Sequence, residues 1–165
     1  MAVLFVAIVS VQRSTAIETT DGARRALLLA GVEPAAVFAG KALAVAVQLL
    51  VVEVVMVGGV IVLYDADIES VPLLAATCLV ATVGISTAGT LLGALVAGVR
   101  ARETVLPILL LPVLAPVLIG ATRAFDDALG TVSVDGWAWL GLLAGFGAIN
   151  TVLGALSYGV LLEET

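Results

Sequence analysis

Histidine is absent from the 165-residue chain, and cysteine occurs once, at Cys78. A zinc cluster, a c-type haem attachment motif and an internal disulfide all need residues that are not there. Charge is scarce as well: 12% of the residues are Asp, Glu, Lys or Arg, about half the share of an ordinary soluble domain. The 7 basic residues against 13 acidic ones leave a net charge of −6, the reverse of the basic surface that a phosphate backbone requires. Nucleic acid is thereby excluded as a partner. Apolar residues make up 62% of the chain and the mean hydropathy is +1.24, which excludes a soluble enzyme and a disordered chain. Any chemistry here falls to carboxylates, hydroxyls or another subunit. The expected class is all-α, a polytopic helical membrane protein forming a single transmembrane domain over residues 1–165.

Crossing about 30 Å of hydrocarbon takes roughly 20 mainly apolar residues in a helix. Four stretches meet that length: Ala35 to Tyr64, Pro72 to Val99, Thr104 to Thr122 and Trp137 to Leu161. A fifth, Met1 to Val11, is too short to cross alone. It has neither a basic leading region nor a small-residue cleavage site before Gln12 and Arg13, so it does not read as a signal peptide. The reading is four full spans plus a partial N-terminal helix, the second half of one that begins upstream; a short interfacial segment is the alternative.

The charges between these stretches sort by sign. Arg13, Arg24 and Arg25 lie in the segment from Arg13 to Pro34, and Arg100 and Arg102 lie in the next loop of the same parity. The positive-inside rule puts both in the cytoplasm. Asp65, Asp67 and Glu69 occupy one intervening loop, while Asp126, Asp127 and Asp135 lie between Arg123 and Gly136; both should face outward. The protein is then multi-pass in a plasma or inner membrane, with the C-terminal Glu163, Glu164 and Thr165 cytoplasmic.

Within the spans, Gly89-x-x-x-Gly93 and Gly141-x-x-x-Gly145 remove side-chain bulk and let a neighbouring helix come close. Pro107, Pro112 and Pro116 share one span. Each lacks an N–H, so that helix is expected to bend or become locally irregular. Glu53 interrupts the apolar run LLVVEVVMVGG. An acidic side chain near the bilayer centre costs about 2.5–3.5 kcal/mol, so it should face the bundle interior or water and find a partner. It is either a proton or substrate site or a buried polar contact that fixes helix packing. Lys41 is close enough to the cytoplasmic end to snorkel and anchor its span. Asn150 and Ser157 are expected to bond to neighbouring helices, and Cys78 to serve as a small apolar filler.

The segment from Arg13 to Pro34 is longer than a connector requires. Thr15-x-x-Glu18 reads as a capping box, Thr20 and Asp21 as a second helix opening, and Pro34 as the stop before the next span. One or two short helices at the membrane face are expected, with Leu27, Leu28 and Leu29 partly buried: a docking surface in outline. Gly40-Lys41 has the ending of a phosphate-binding loop, but Ala35 and Ala42 stand where that motif needs Gly and Ser or Thr. Nucleotide binding by this chain is rejected.

Taken in order, these features resemble one family, the haem-exporter B proteins (CcmB), membrane subunits of an ABC-type transporter of cytochrome c maturation. The first block reads Glu18, Asp21-Gly22, Leu27-Leu28-Leu29, Val32, Gly40-Lys41 and Glu53. The second reads Gly89-Thr90-Leu91-Leu92, Arg100-Ala101-Arg102-Glu103, Leu106 to Pro112 and Pro116-Val117. The chain departs from the pattern in carrying Gly31-Val32 where members carry Pro-Val, and in offering about four and a half spans where the family has six.

The resemblance implies a permease subunit without its own ATPase, two copies of which pair. It implies that a separate ATP-binding subunit docks through Glu18, Asp21, Gly22, Arg24, Arg25 and Leu28, and through Arg100, Arg102 and Glu103. A haem-handling membrane protein, a haem chaperone and membrane lipid are the remaining partners. It implies no tightly bound cofactor; haem enters as a transported or handled ligand, with Tyr64 and Tyr158 as the remaining contacts in a chain without histidine. Three other readings stay open: a proton-coupled secondary transporter using Glu53, an ABC-2-type permease for another substrate, and a non-transporting assembly scaffold.

Overall fold

The structure, a computed structural model, describes residues 2–20, 33–64, 68–97 and 102–164. Five helices account for most of them: α1 (Ala2–Thr20), α2 (Pro34–Tyr64), α3 (Val71–Leu95), α4 (Arg102–Ala128) and α5 (Gly136–Glu164). The last four are long and apolar enough to cross a membrane, and α1 contributes the shorter apolar stretch Ala2–Arg13. At 31 residues α2 is about 46 Å long, more than the hydrocarbon needs.

The small and hydroxylated residues of the chain select its centre. Helix α3 touches all four of the others, and 56% of its most apolar stretch is buried, against 17–28% in α2, α4 and α5. The run from Gly84 to Thr90 is buried throughout, because Gly, Ala, Ser and Thr let several neighbours approach one backbone. Their hydroxyls turn back on the helix: Thr77, Thr87 and Thr90 donate to the carbonyls of Leu73, Val83 and Ser86 at 2.7–2.8 Å. No buried side-chain polar atom among the described residues is left without a partner. The outer faces are apolar instead, with Val54 71% and Val55 68% exposed. Surfaces of this kind suit lipid tails, not water.

Helix boundaries depart from the sequence expectation chiefly in two places, besides α3, which ends at Leu95 and not at Val99. First, α1 runs unbroken to Thr20, so Thr15-x-x-Glu18 opens no helix. Nothing between Gln12 and Thr20 is Gly or Pro, and a helix already started by the apolar run continues through residues that could otherwise have capped it. Asp21 to Val32, with the leucine run, lie outside the described residues.

Second, α4 continues six residues past Thr122, so Arg123, Asp126 and Asp127 are helical. The stop is at Gly130, whose φ of 63° is open to glycine at little cost. Gly130 N–H donates to the Asp127 carbonyl at 3.1 Å and Thr131 N–H to that of Asp126 at 2.9 Å, the two bonds of a Schellman ending. The carbonyl of Ala128 accepts from the N–H groups of Glu69 and Ser70 at 3.0 and 3.1 Å. The loop before α3 is thereby tied to the end of α4. Pro107, Pro112 and Pro116 all lie inside α4, which is continuous across them.

The aspartates read as topology markers also hold the start of α5. Asp135 accepts from the Ala138 N–H at 3.1 Å, and Asp127 from the Gly136 N–H at 3.0 Å. Both carboxylates sit at the positive end of the helix dipole. Asp135→Ala is expected to cost about 1 kcal/mol, read as a lower midpoint of thermal unfolding in detergent, with Asp135→Ser retaining most of the stability.

Candidate functional site

Helix α2 buries one stripe, Phe38, Ala42, Val45, Leu49 and Glu53, at the three- and four-residue spacing that keeps side chains on a single face. A carboxylate therefore occupies a position that the pattern reserves for the core. Glu53 is 8% exposed, and its Oε2 accepts a hydrogen bond of 2.8 Å from the Thr82 hydroxyl of α3. Thr82 differs from Thr77, Thr87 and Thr90, whose hydroxyls bond within their own helix. Cys78 lies half-buried one turn from Thr82, within electrostatic reach of Glu53.

Glu53 is also the last buried residue of α2. The next positions of its stripe, Val57, Val60 and Ile61, line an apolar cavity of about 210 Å³ together with Leu74, Phe125 and Leu129. Among the described residues the backbones of α2 and α4 do not come close to each other, and the cavity lies between them. Glu53 is thus the last buried residue of α2 before the cavity.

The opposite end of α2 is clasped by α5. Phe38 is 2% and Tyr158 1% exposed; their ring centroids are 5.5 Å apart and the rings are tilted by 54°. The Lys41 ammonium donates to the Tyr158 hydroxyl. It stands 5.2 Å from the ring centroid, the separation expected of a cation bonded to the phenolic oxygen, so a hydrogen bond at the ring edge and not a face-on cation–π contact holds the pair. Gly154 makes room for Phe38: a Cβ there would lie 2.1 Å from the ring. Gly159 faces Pro34, with 3.6 Å between a Cβ built on the glycine and the proline ring.

The cluster bears on two expectations. The head group of Lys41, near the end of its span, donates to the Tyr158 hydroxyl of α5. Tyr158 is buried with its hydroxyl bonded to Lys41, whereas Tyr64 is 77% exposed at the end of α2. Asn150 also departs from its expected role, since its side-chain amide donates to the Phe146 carbonyl of its own helix at 2.9 Å. The small-residue motifs divide. Gly89 meets Val11 of α1, whose methyl would be 2.8 Å from a Cβ, but Gly141 and Gly145 have nothing within 4 Å. Helix α5 meets α3 instead at Gly147 against Gly84, where a Cβ on Gly147 would lie 3.6 Å from the Gly84 nitrogen. The buried face of α5 runs through Leu143, Gly147, Gly154 and Tyr158, and the Gly141 motif lies off it.

Of the residues expected at a docking surface, Glu18 belongs to α1, and Arg102 and Glu103 open α4. Asp21, Gly22, Arg24, Arg25, Leu28 and Arg100 lie outside the described residues. Among the described residues the bundle therefore combines a buried central helix, one buried carboxylate and a clasp between the first turns of α2 and the last turns of α5. Among the described residues, no group of three or more acidic or cysteine side chains could hold a metal ion.

A family model described as CcmB protein matches residues 1–163. The chain belongs to the CcmB family. Comparison with curated proteins and with solved structures finds no match. Membership in CcmB makes the chain a membrane permease subunit of ABC type, in the haem transport that serves c-type cytochrome biogenesis. Four of its helices are long and apolar enough to cross a membrane, as a membrane subunit needs.

Proposed function

We propose that this CcmB chain couples ATP hydrolysis on a separate subunit to a rearrangement of its own helix bundle, as one of two copies in the transporter. The ATP-binding subunit docks on residues 13–34, through Glu18, Asp21, Gly22, Arg24, Arg25 and Leu28, and on Arg100, Arg102 and Glu103. The observation that carries this reading is the family match over residues 1–163, which includes both docking blocks. The continuous α1 and the start of α4 at Arg102 support it, because they attach both blocks directly to helices of the bundle. In this reading those blocks and the C-terminus face the cytoplasm, and haem is cargo handled by the assembly with a haem-handling membrane protein and a haem chaperone.

Co-expression with the cognate ATP-binding subunit tests the proposal. The two are expected to purify together in mild detergent, and Asp21→Arg combined with Glu18→Arg is expected to remove most of the bound ATPase while leaving the permease in the membrane. A wild-type chain that inserts but retains no ATPase would overturn the docking reading. Glu53 has a packing role here: its bond to Thr82 gives the carboxylate an interior partner at the α2–α3 contact.

A further inference from the structure

We infer that Phe38, Lys41, Gly154 and Tyr158 fasten the first turns of α2 to the last turns of α5 as one rigid body, which carries movement of residues 13–34 into α5. The second part rests on the docking reading above. The first part stands on geometry alone.

Three different kinds of contact converge within two turns of each helix. A buried aromatic pair supplies packing, a charged donor on a phenol supplies direction, and a glycine lets the ring seat against the α5 backbone. Any rotation or slide of α2 against α5 would break the Lys41 bond and drive Phe38 into Gly154 or away from it. Packed contacts of this kind resist continuous deformation. By contrast, α2 has no buried residue beyond Glu53, where it borders the cavity at the α4 end. The helix is therefore packed more tightly at the end adjoining residue 33 than at its far end. Force applied before Pro34 has a stiff route into α5 and a loose one toward α4.

Lys41 and Tyr158 are positioning residues on this account, and the test must separate position from stability. Nitroxide labels at Gly40 and Leu156 report the joint without touching it: a Cβ on Gly40 meets nothing within 4 Å, and Leu156 is 75% exposed. With Cys78→Ala removing the chain's one native thiol, the label-to-label distance in nanodiscs should be narrow in the isolated permease. In the complex with the ATP-binding subunit it should stay unchanged between nucleotide-free and ATP-trapped states. Lys41→Met and Tyr158→Phe should broaden the distribution, while Lys41→Arg restores it.

In the complex, the same two variants should retain the bound ATPase yet lower the permease-dependent rise in ATP hydrolysis by about fivefold or more. A broad distribution in the wild type, a distance that changes between nucleotide states, or variants that leave both distance and stimulation intact would each overturn the inference. Loss of the ATPase from the wild-type chain would instead sink the docking reading, and the distance measurement on the permease alone would still decide whether the joint is rigid.

Discussion

Gly154→Ala will destabilise the bundle by about 1–3 kcal/mol, the usual cost of forcing extra atoms into a packed interior. The new methyl would stand 2.1 Å from the Phe38 ring, closer than any real contact. The ring cannot simply swing aside, because it is 2% exposed and lies against Tyr158. Thermal unfolding in detergent should show the lowered midpoint. Combining the change with Phe38→Leu, which shortens the side chain, should recover part of the loss, since the two effects share a single contact and cannot add. Gly141→Ala, at a position where nothing lies within 4 Å, should not lower the midpoint and should raise it slightly, as alanine favours the helix. Equal effects at Gly141 and Gly154 would mean that helix propensity, not the clasp, sets the response.

Thr82→Val should be nearly as costly, at about 1–3 kcal/mol, because it removes the donor and leaves a carboxyl group buried without its partner. The volume is nearly conserved, so the loss reports the hydrogen bond and not a cavity. Thr82→Ser should keep most of the stability. Glu53→Gln retains an acceptor oxygen and should cost less than Thr82→Val, and Glu53→Leu with Thr82→Val should be more stable than Thr82→Val alone, since the buried polar group is then gone. If Glu53→Gln instead leaves folding intact and abolishes pH-dependent transport, the packing role fails and the proton-coupled reading replaces it.

The spans were legible in the sequence because the physics of crossing a bilayer depends on length and apolarity, both of which can be counted. Their ends were less legible. The extension of α4 through Arg123, Asp126 and Asp127 is set by the cap at Gly130 and by bonds to Glu69 and Ser70, a tertiary arrangement that local charge does not announce. Charged residues after an apolar run mark the end of the hydrocarbon, not of the helix.

Which helix lies at the centre was hidden for a different reason. Lipid tails are as apolar as a protein interior, so hydropathy does not distinguish a lipid-facing side chain from a packed one. Helices α3 and α5 have similar mean hydropathies, 1.8 and 1.6, but very different burial, 56% and 17%. Small size and hydroxyl content were the usable signals for α3. In α5 the four-residue glycine spacing drew attention to Gly141 and Gly145, while the face that packs includes Gly147 and Gly154, seven residues apart. The cost of Glu53 was readable from one residue, but the identity of Thr82 as its partner was not. For Lys41, a cation in an apolar helix should have prompted a search for an acceptor on the last span, where Tyr158 was available.

The Glu53–Thr82 bond also bears on how the chain is made. The two residues are separated by 29 positions, so during synthesis the carboxylate of α2 exists before the hydroxyl that will receive it. An α2 released alone into lipid would expose that carboxylate to hydrocarbon, at the cost already estimated for an acidic residue near the bilayer centre. The other apolar side chains of α2, whose mean hydropathy is 2.5, outweigh that cost, so α2 is expected to enter the membrane before α3 is made and to gain stability once Thr82 reaches the carboxylate.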